Sequence, residues 1–384
     1  MSHKLLPTLP LLFAAFALIA SPKPAGKSAV HPAASGNGAA ASDEKPRPVK
    51  NFHLYVQDGD WELADGTKTY AISYVKWNEN FDEMPAGGVI PPVQIPAPTI
   101  RVKVGDEVHV FLHNSGHQHA GKDSAIKNVP HTIHFHGLDL VQAMDGVPDV
   151  PAEGLPPKLF SGVAPGDAYE YKFVAEHEGT YAYHCHVDSS THILLGMYGA
   201  FIIDGEKPNT IYGHHFDREY TLILSEMDSA HNEAIKTLGS YDMMKWKSDY
   251  FLLNGRIFVS DLTNPLSTIA DPRSAIVANE GETVLLRFIA MGFDHTFAYH
   301  PHAYHMQVIG TDGRGLDSPY WKDTLPIISG ERYDVLIPII GKRNKVCLSC
   351  GLGKGISIAH DHNLRGEASG GAYPKGPLTV FIIK

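Results

Sequence analysis

From residue 50 onward, short apolar runs with a period of two are separated by Gly, Pro, Asn and Asp. In TIRVKVGDEVHVFLHN (99–114), Val102 and Val104 share one parity before the turn, and Val108, Val110 and Leu112 share one parity after it. This alternation is typical of half-buried strands, and long amphipathic helices are not evident. The pattern predicts an all-β sandwich or barrel.

The strand pattern occurs twice. VKVGDEVHVFL, then HTIHFHG, HCH and GAFIID follow one another in the first half, and VANEGETVLLRF, HTFAYHPH, HDH and LTVFII follow in the same order in the second. A repeat with a period of roughly 160 residues predicts two copies of one β-domain, at about 50–205 and 206–384.

The first 49 residues differ in composition from the rest. Residues 1–20 have a short positive start at Lys4 and an apolar run whose unbroken part falls short of the ~20 residues that span a bilayer. We interpret them as a secretory signal, with an uncleaved anchor as the alternative. Residues 21–49, rich in Ala, Ser, Pro, Gly and Lys, are predicted to form a disordered tether. Both interpretations predict a secreted or periplasmic protein.

Charge and histidine content narrow the range of functions. The formal net charge is −10 without a basic block, which argues against nucleic acid or an anionic membrane as a partner. The chain has 23 histidines and 3 cysteines, a balance that favours metal binding.

The histidines form five His-x-His pairs in a chain of 384 residues, against about 1.4 expected by chance, so strand register must decide which pairs matter. Side chains alternate faces along a strand. His184 and His186 therefore point one way and Cys185 the other. Likewise His134 and His136 share a face, and His131 takes the opposite one.

The inward set is thus His131 and Cys185, and the loop after Cys185 can add His192 and Met197. Two imidazoles, one thiolate and a thioether are the ligands of a blue-copper electron-transfer site. Zinc prefers a tetrahedral Cys and His set without methionine. Each residue taken singly could also be a packing residue.

The outward set is larger, because the second domain repeats both outward pairs. There Pro301 and Asp361 stand between the paired histidines, and Phe297 stands where His131 precedes His134. We therefore expect no blue site in the second domain. The eight outward imidazoles are His134, His136, His184, His186, His300, His302, His360 and His362.

At this point the sequence resembles the multicopper oxidases, in particular two-domain laccase-like enzymes with the blue site in the first domain. HTIHFHG with MDGVP (144–148), and HCH followed by His192 and GM, are similar to the family's copper motifs. LLRFIAMG, HTFAYHPH and QVIGTDG are similar to its second-domain pattern. The seven-residue step from Cys185 to His192 is longer than the family's usual five.

The resemblance implies two tandem cupredoxin-like Greek-key domains holding four coppers per chain. Electrons from a phenolic, aromatic or metal-ion donor would reduce O2 to water in a homotrimer whose copper clusters lie between subunits. Asp145 and Asp188 fall where the family has acidic proton-relay residues; otherwise Asp145 is a turn residue and Asp188 a solvated loop charge. The implied ligands are His131, Cys185, His192 and Met197 for type 1 copper, His134 and His300 for type 2 copper, and His136, His184, His186, His302, His360 and His362 for the type 3 pair.

Two other functions stay open. Copper nitrite reductases have a similar architecture, but their first strand has Asp in place of His134 and a non-ligand in place of His186. A non-enzymatic copper-binding or electron-transfer protein would hold about one copper per chain, as a lone blue site does.

Two further motifs carry less weight. GHQH, with His117 and His119, lies in a polar loop and is expected to be solvated, with an accessory copper contact as the alternative. Cys347 and Cys350 form a CxxC without βαβ context, which favours a local disulfide in an oxidising compartment over a redox motif.

Overall fold

The alternation in the sequence becomes an alternation of burial. In strand β4 (Glu107–His113), Val108, Val110 and Leu112 are fully buried, while the residues between them are partly exposed. The computed structural model describes residues 46–148, 162–259, 274–339 and 354–384. The predicted signal (1–20) and most of the tether lie outside the described residues. Val49, assigned to the tether, already lies in a strand opposite Glu107.

Within the described residues, eight strands build the first sandwich. They are β1 (Val49–Glu62), β2 (Lys68–Val75), β3 (Ala97–Lys103), β4, β5 (His134–His136), β6 (Ala168–Val174), β7 (Gly179–His184) and β8 (Tyr198–Asp204). One sheet has the order β2-β1-β4-β6 and the other the order β3-β8-β7-β5, and an apolar cluster fills the space between them. A two-stranded ribbon follows, β9 (Thr210–Ile211) and β10 (His214–His215).

The described strands of the second sandwich are β11 (Arg218–Met227), β12 (Tyr250–Leu253), β13 (Ile276–Ala278), β14 (Thr283–Met291), β15 (Phe297–Pro301), β16 (Met306–Thr311), β17 (Arg314–Lys322), β18 (Leu325–Ile327), β19 (Arg332–Pro338), β20 (Gly355–Asp361) and β21 (Leu378–Ile383). They form sheets of order β12-β11-β14-β19-β16-β17 and β13-β21-β20-β15-β18, with their own apolar cluster.

The two sandwiches share their pairing rules. Strand β1 is parallel to β4, as β11 is to β14, and β3 is parallel to β8, as β13 is to β21. In both, the two histidine-bearing strands are antiparallel neighbours, β5 with β7 and β15 with β20. The predicted all-β fold with two tandem cupredoxin-like domains is confirmed. The exact boundary at 205/206 stays a prediction.

In the described ranges the helices are short. They are α1 (Gln142–Asp145), α2 (Ser189–His192), α3 (Ser229–Leu238) and the 3₁₀ turns Ala125–Asn128 and Met243–Lys245. Helix α3 begins at Asp228, whose carboxylate accepts hydrogen bonds from the backbone N–H groups of Ala230 and His231, and it ends at Gly239 in the left-handed conformation. It packs on β2 and so covers one end of the first sandwich.

Apolar and ionic contacts join the sandwiches. Ala182 and Ile202 of the first pack with Ile223 and Ile289 of the second in one buried cluster. Beside it, the Arg287 guanidinium, 2% exposed, lies 3.4 Å from the Asp334 carboxylate and donates to the Thr180 hydroxyl at 3.0 Å. Asp334 also accepts from the hydroxyl of Tyr212 at 2.9 Å.

Replacing Asp334 by Ala should lower the free energy of unfolding by about 1–3 kcal/mol, because the Thr180 and Tyr212 hydroxyls lose their acceptor. The substitution also removes one of the two carboxylates beside the buried Arg287, the other being Glu219 at 2.9 Å. Denaturant unfolding followed by tryptophan fluorescence measures the change. Asp317→Ala, at an exposed position in β17, is the control and should stay within about 0.5 kcal/mol. Equal stability of the two variants would contradict a role for this ion pair.

Candidate metal centre

Four imidazoles converge on the first sandwich. Because β5 and β7 pair with His134 opposite His184, the outward pairs of the two strands face one another. The ring centroid of His134 lies 5.6 Å from that of His136, 5.1 Å from that of His184 and 5.3 Å from that of His186. The nitrogens of His134, His136 and His184 lie within 4.8 Å of one another, as a shared metal requires.

The second sandwich carries a matching quartet. Here β15 and β20 pair with His300 opposite His360. The ring of His300 lies 5.0 Å from that of His302 and 5.4 Å from that of His362, and Nε2 of His302 lies 3.1 Å from Nε2 of His360. Among the residues that the structure describes, no ring contact joins the two quartets.

Backbone carbonyls orient four of these rings. Nδ1 of His134 lies 2.7 Å from the Asp145 carbonyl and Nδ1 of His184 lies 2.9 Å from the Cys185 carbonyl. Nδ1 of His300 and of His360 faces the carbonyls of Asp323 and Asp361 in the same way, at 3.2 and 3.0 Å. A ring that donates from Nδ1 keeps the Nε2 lone pair for a metal.

Burial keeps several of these imidazoles neutral, the form that binds metal. It lowers the pKa of His184 to about 3 and that of His136 to about 4. Burial also acts to lower the pKa of His134, but the side chain and backbone of Asp145 accept its hydrogen bonds and raise that pKa above its ordinary value.

The inward set lies on the other face of the same strands. His131 and Cys185 are fully buried and His192 is 1% exposed. The Cys185 sulfur lies 3.5 Å from Nδ1 of His131 and 3.4 Å from Nδ1 of His192. These separations fit one metal at about 2.0–2.3 Å from each nitrogen and from the sulfur.

Helix α2 accounts for the long spacing between Cys185 and His192. Asp188 adopts a left-handed backbone, with φ of 42°, and the following turn places His192 at its end. The backbone then closes the site, because the Cys185 N–H donates to the Met197 carbonyl and the Met197 N–H donates to the His192 carbonyl, both at 3.1 Å. Met197 is fully buried in the same core cluster as Cys185.

Burial raises the pKa of the Cys185 thiol to about 11, so the free side chain is protonated at neutral pH. A bound metal deprotonates a coordinating thiol. Burial also holds the pKa of His131 well below its ordinary value and lowers that of His192 to about 4. Two neutral imidazoles, one thiol and a thioether fit copper better than a hard cation.

The two predicted acidic residues differ in placement. The Asp145 carboxylate lies 3.2 Å from Nδ1 of His134, and the hydrogen bond with that ring lowers the pKa of Asp145. The Asp188 carboxylate instead accepts from the Ser190 hydroxyl at 2.9 Å, on the side of His192. Asp145 is therefore placed against an outward histidine, whereas a relay role for Asp188 stays a prediction without such a contact.

The two histidines of the GHQH loop differ in burial. The expectation that both histidines of GHQH are solvated is wrong for His117, which is 4% exposed and whose Nε2 lies 2.9 Å from Nε2 of His131. His119, with 55% of its side chain exposed, fits the expectation. The sequence signal for His117 was the His-x-His pair itself, but register arguments do not apply in a loop.

The second sandwich uses its equivalent inward position differently. Asp361, which stands where Cys185 stands in the first sandwich, lies 2.6 Å from Nε2 of His295 and accepts the Ala298 N–H at 2.7 Å. A buried carboxylate and imidazole thus occupy that face. Cys347 and Cys350 of the CxxC motif lie outside the described residues. In the described part of the chain, no helix is long and apolar enough to cross a membrane.

Comparisons with known proteins agree with this geometry. Two family models, both described as multicopper oxidase, match residues 83–208 and 218–364. Copper resistance protein A of Escherichia coli is 29% identical over 63% of this chain and 41% of its own length. Laccase-2 of Cryptococcus neoformans is 26% identical over 74% of this chain and 46% of its own length. The chain thus spans less than half the length of these curated relatives.

A solved structure matches over more of its length. The blue copper oxidase of Nitrosomonas europaea is 27% identical, with a TM-score of 0.66 over 87% of this chain and 86% of that one. Copper of types 1, 2 and 3 is the cofactor that the family implies, and the two metal-competent groups of the first sandwich fit it. From its sequence matches and its paired histidine strands, the chain belongs to the multicopper oxidase family.

Proposed function

We propose that this protein is a laccase-like oxidase that couples one-electron oxidation of a donor to the four-electron reduction of O2 to water. The observation that carries the proposal is the completeness of both histidine quartets, the first of which shares its strands with the Cys185 site. Four oxidations supply the electrons, and four protons are taken up as two waters form. When bound, copper supplies the one-electron redox chemistry.

The chain's own residues connect the two sites. Cys185 lies inward, while its covalent neighbours His184 and His186 lie in the outward quartet. Nδ1 of His184 also lies 2.9 Å from the Cys185 carbonyl, which adds a hydrogen bond beside the covalent link between these two residues. One strand therefore serves both centres and holds them at a fixed separation.

A donor that docks near the Cys185 site would not contact the imidazole of His192 directly, because that ring is 1% exposed. Phenols, aromatic amines and metal ions all remain candidate donors.

The separation of the quartets supports an assembly in which neighbouring chains complete each cluster. The three coppers of types 2 and 3 need ligands from both quartets, which lie on different sandwiches. A head-to-tail ring brings the first sandwich of one chain to the second of the next, and such a heterologous interface must close. The family resemblance favours three chains.

We also propose that residues 1–20 direct the protein to the periplasm or outside the cell.

Metal analysis with EPR of the purified protein tests the proposal. We expect four coppers per chain, a blue type 1 signal, a type 2 signal and O2 consumption with a phenolic or metal-ion donor. Nitric oxide formation from nitrite under anaerobic conditions, with no O2 uptake in air, would instead establish a nitrite reductase. About one copper per chain without a type 2 signal would establish an electron-transfer protein.

Asp145→Asn should lower O2 consumption by about 10- to 100-fold, the usual effect of losing an outer partner of a metal ligand. The substitution removes the charge beside His134 and the ability to take up and pass on a proton, but it keeps a hydrogen-bond acceptor. The blue band should be unchanged, since Asp145 faces the outward quartet. Asp188→Asn, assayed in parallel, tests the predicted relay role of Asp188. Full activity of Asp145→Asn would contradict the role of Asp145.

A further inference from the structure

Asp58 fixes a loop beside the inward site. Its carboxylate, 1% exposed, accepts hydrogen bonds from the backbone N–H groups of Gln118, His119 and Ala120 at 2.8–2.9 Å. The hydroxyl of Tyr70 donates to the same carboxylate at 2.9 Å. A buried carboxylate with this many donors holds the GHQH loop in one conformation.

The fixed loop presents His117 to His131. The two rings meet edge to face, with centroids 5.0 Å apart and planes at 87°, and their Nε2 atoms lie 2.9 Å apart. His117 approaches the nitrogen of His131 that points away from Cys185. It is therefore placed behind the ligand rather than among the group formed by His131, Cys185 and His192.

The direction of this hydrogen bond follows from the metal site. If His131 binds through Nδ1, the nitrogen that faces the Cys185 sulfur, its Nε2 carries the proton and must donate. Nε2 of His117 must then accept, which leaves the proton of His117 on Nδ1. That Nδ1 is buried, and it has no hydrogen-bond partner among the described residues. Within the described part of the chain, the bond to His131 is therefore the hydrogen bond that orients the His117 ring.

We propose that His117 is a positioning residue that accepts the Nε2–H of His131 and so fixes the tautomer and the ring orientation of that ligand toward Cys185. This inference rests on the proposed type 1 site. A ligating histidine commonly donates its second N–H to a carboxylate, a carbonyl or water. Here a neutral imidazole takes that place.

His117→Phe keeps an aromatic ring and removes the acceptor. Compared with wild type, we expect about 10- to 100-fold faster loss of type 1 copper to a chelator, a changed blue band and a shifted type 1 reduction potential. The type 2 signal and its copper content should be unchanged. His117→Gln, whose side-chain oxygen can accept near the Nε2 position, should restore the wild-type spectrum and release rate. Gln118→Ala, at an exposed position in the same loop, is the control and should match wild type, because its link to Asp58 is through the backbone N–H.

A second measurement needs no variant. In the cuprous protein labelled with ¹⁵N-histidine, the chemical shifts of His117 should show a proton on Nδ1 and an accepting Nε2. The opposite tautomer, or a His117→Phe variant with unchanged band, potential and release rate, would overturn the positioning role alone. A wild-type protein that binds copper without any blue band would overturn the proposed type 1 site as well, so the two failures are distinguishable.

Discussion

Replacing Cys185 by Ser should abolish the blue band and lower donor-dependent O2 consumption by more than about a hundredfold. Losing a residue that only hydrogen-bonds to a metal ligand usually costs about 10- to 100-fold, and losing the ligand itself should cost more. The reason is that the sulfur is the only thiol within reach of His131 and His192 among the described residues, at 3.5 and 3.4 Å. A serine hydroxyl is a poor ligand for copper in this soft site.

Visible spectroscopy, copper analysis and oxygen-electrode rates measure the outcome. The copper held by the two quartets should remain, since His184 and His186 keep their backbone positions. Ser190→Ala, at an exposed position in α2, is the control and should be blue and active. A Cys185→Ser protein that still consumes O2 at the wild-type rate would show that electrons bypass the inward site.

His302→Ala should have the opposite phenotype, retaining the blue band while O2 consumption falls to background. His302 belongs to the second quartet, where its Nε2 lies 3.1 Å from that of His360, and nothing in the inward site of the first sandwich depends on it. Removing one imidazole leaves the shared cluster a ligand short. Reduced protein should therefore keep its type 1 site reduced when O2 is added.

His305→Ala is the matched control, because His305 is likewise exposed and lies on the same turn, 3.9 Å from Asp323. It should retain the blue band and O2 consumption. Stopped-flow reoxidation of the type 1 band separates the two variants directly. Full O2 reduction by His302→Ala would contradict the assignment of the second quartet to the oxygen-reducing cluster.

Strand parity was the property that made this site predictable. Because alternate residues of a strand face opposite ways, the patterns HCH and HTIHFHG separate an inward from an outward set of side chains on sequence alone. The structure places His131 beside Cys185 on one face and His134 opposite His184 on the other. The tandem repeat was equally visible, since matching strands carry matching turns and matching histidine pairs.

Strand parity does not predict where the side chains of loop residues lie. The burial of His117 depends on Asp58, about sixty residues earlier in the chain, and on backbone hydrogen bonds that leave no periodic trace. The sequence gives only the length of the seven-residue step from Cys185 to His192. The structure shows how that step is made, with Asp188 in the left-handed conformation followed by one helical turn. The inward pairing of Asp361 with His295 needed the fold to bring two distant segments together.

Dividing the ligands between two sandwiches makes metal uptake and subunit association thermodynamically linked. In the proposed ring, copper that bridges a quartet on one chain and a quartet on the next strengthens the contact between those chains. By reciprocity, association must raise copper affinity by the same factor. If the proposed ring forms, dilution and chelation are two routes to the same dissociated state, and the free copper concentration around the protein sets the fraction of chains that are assembled.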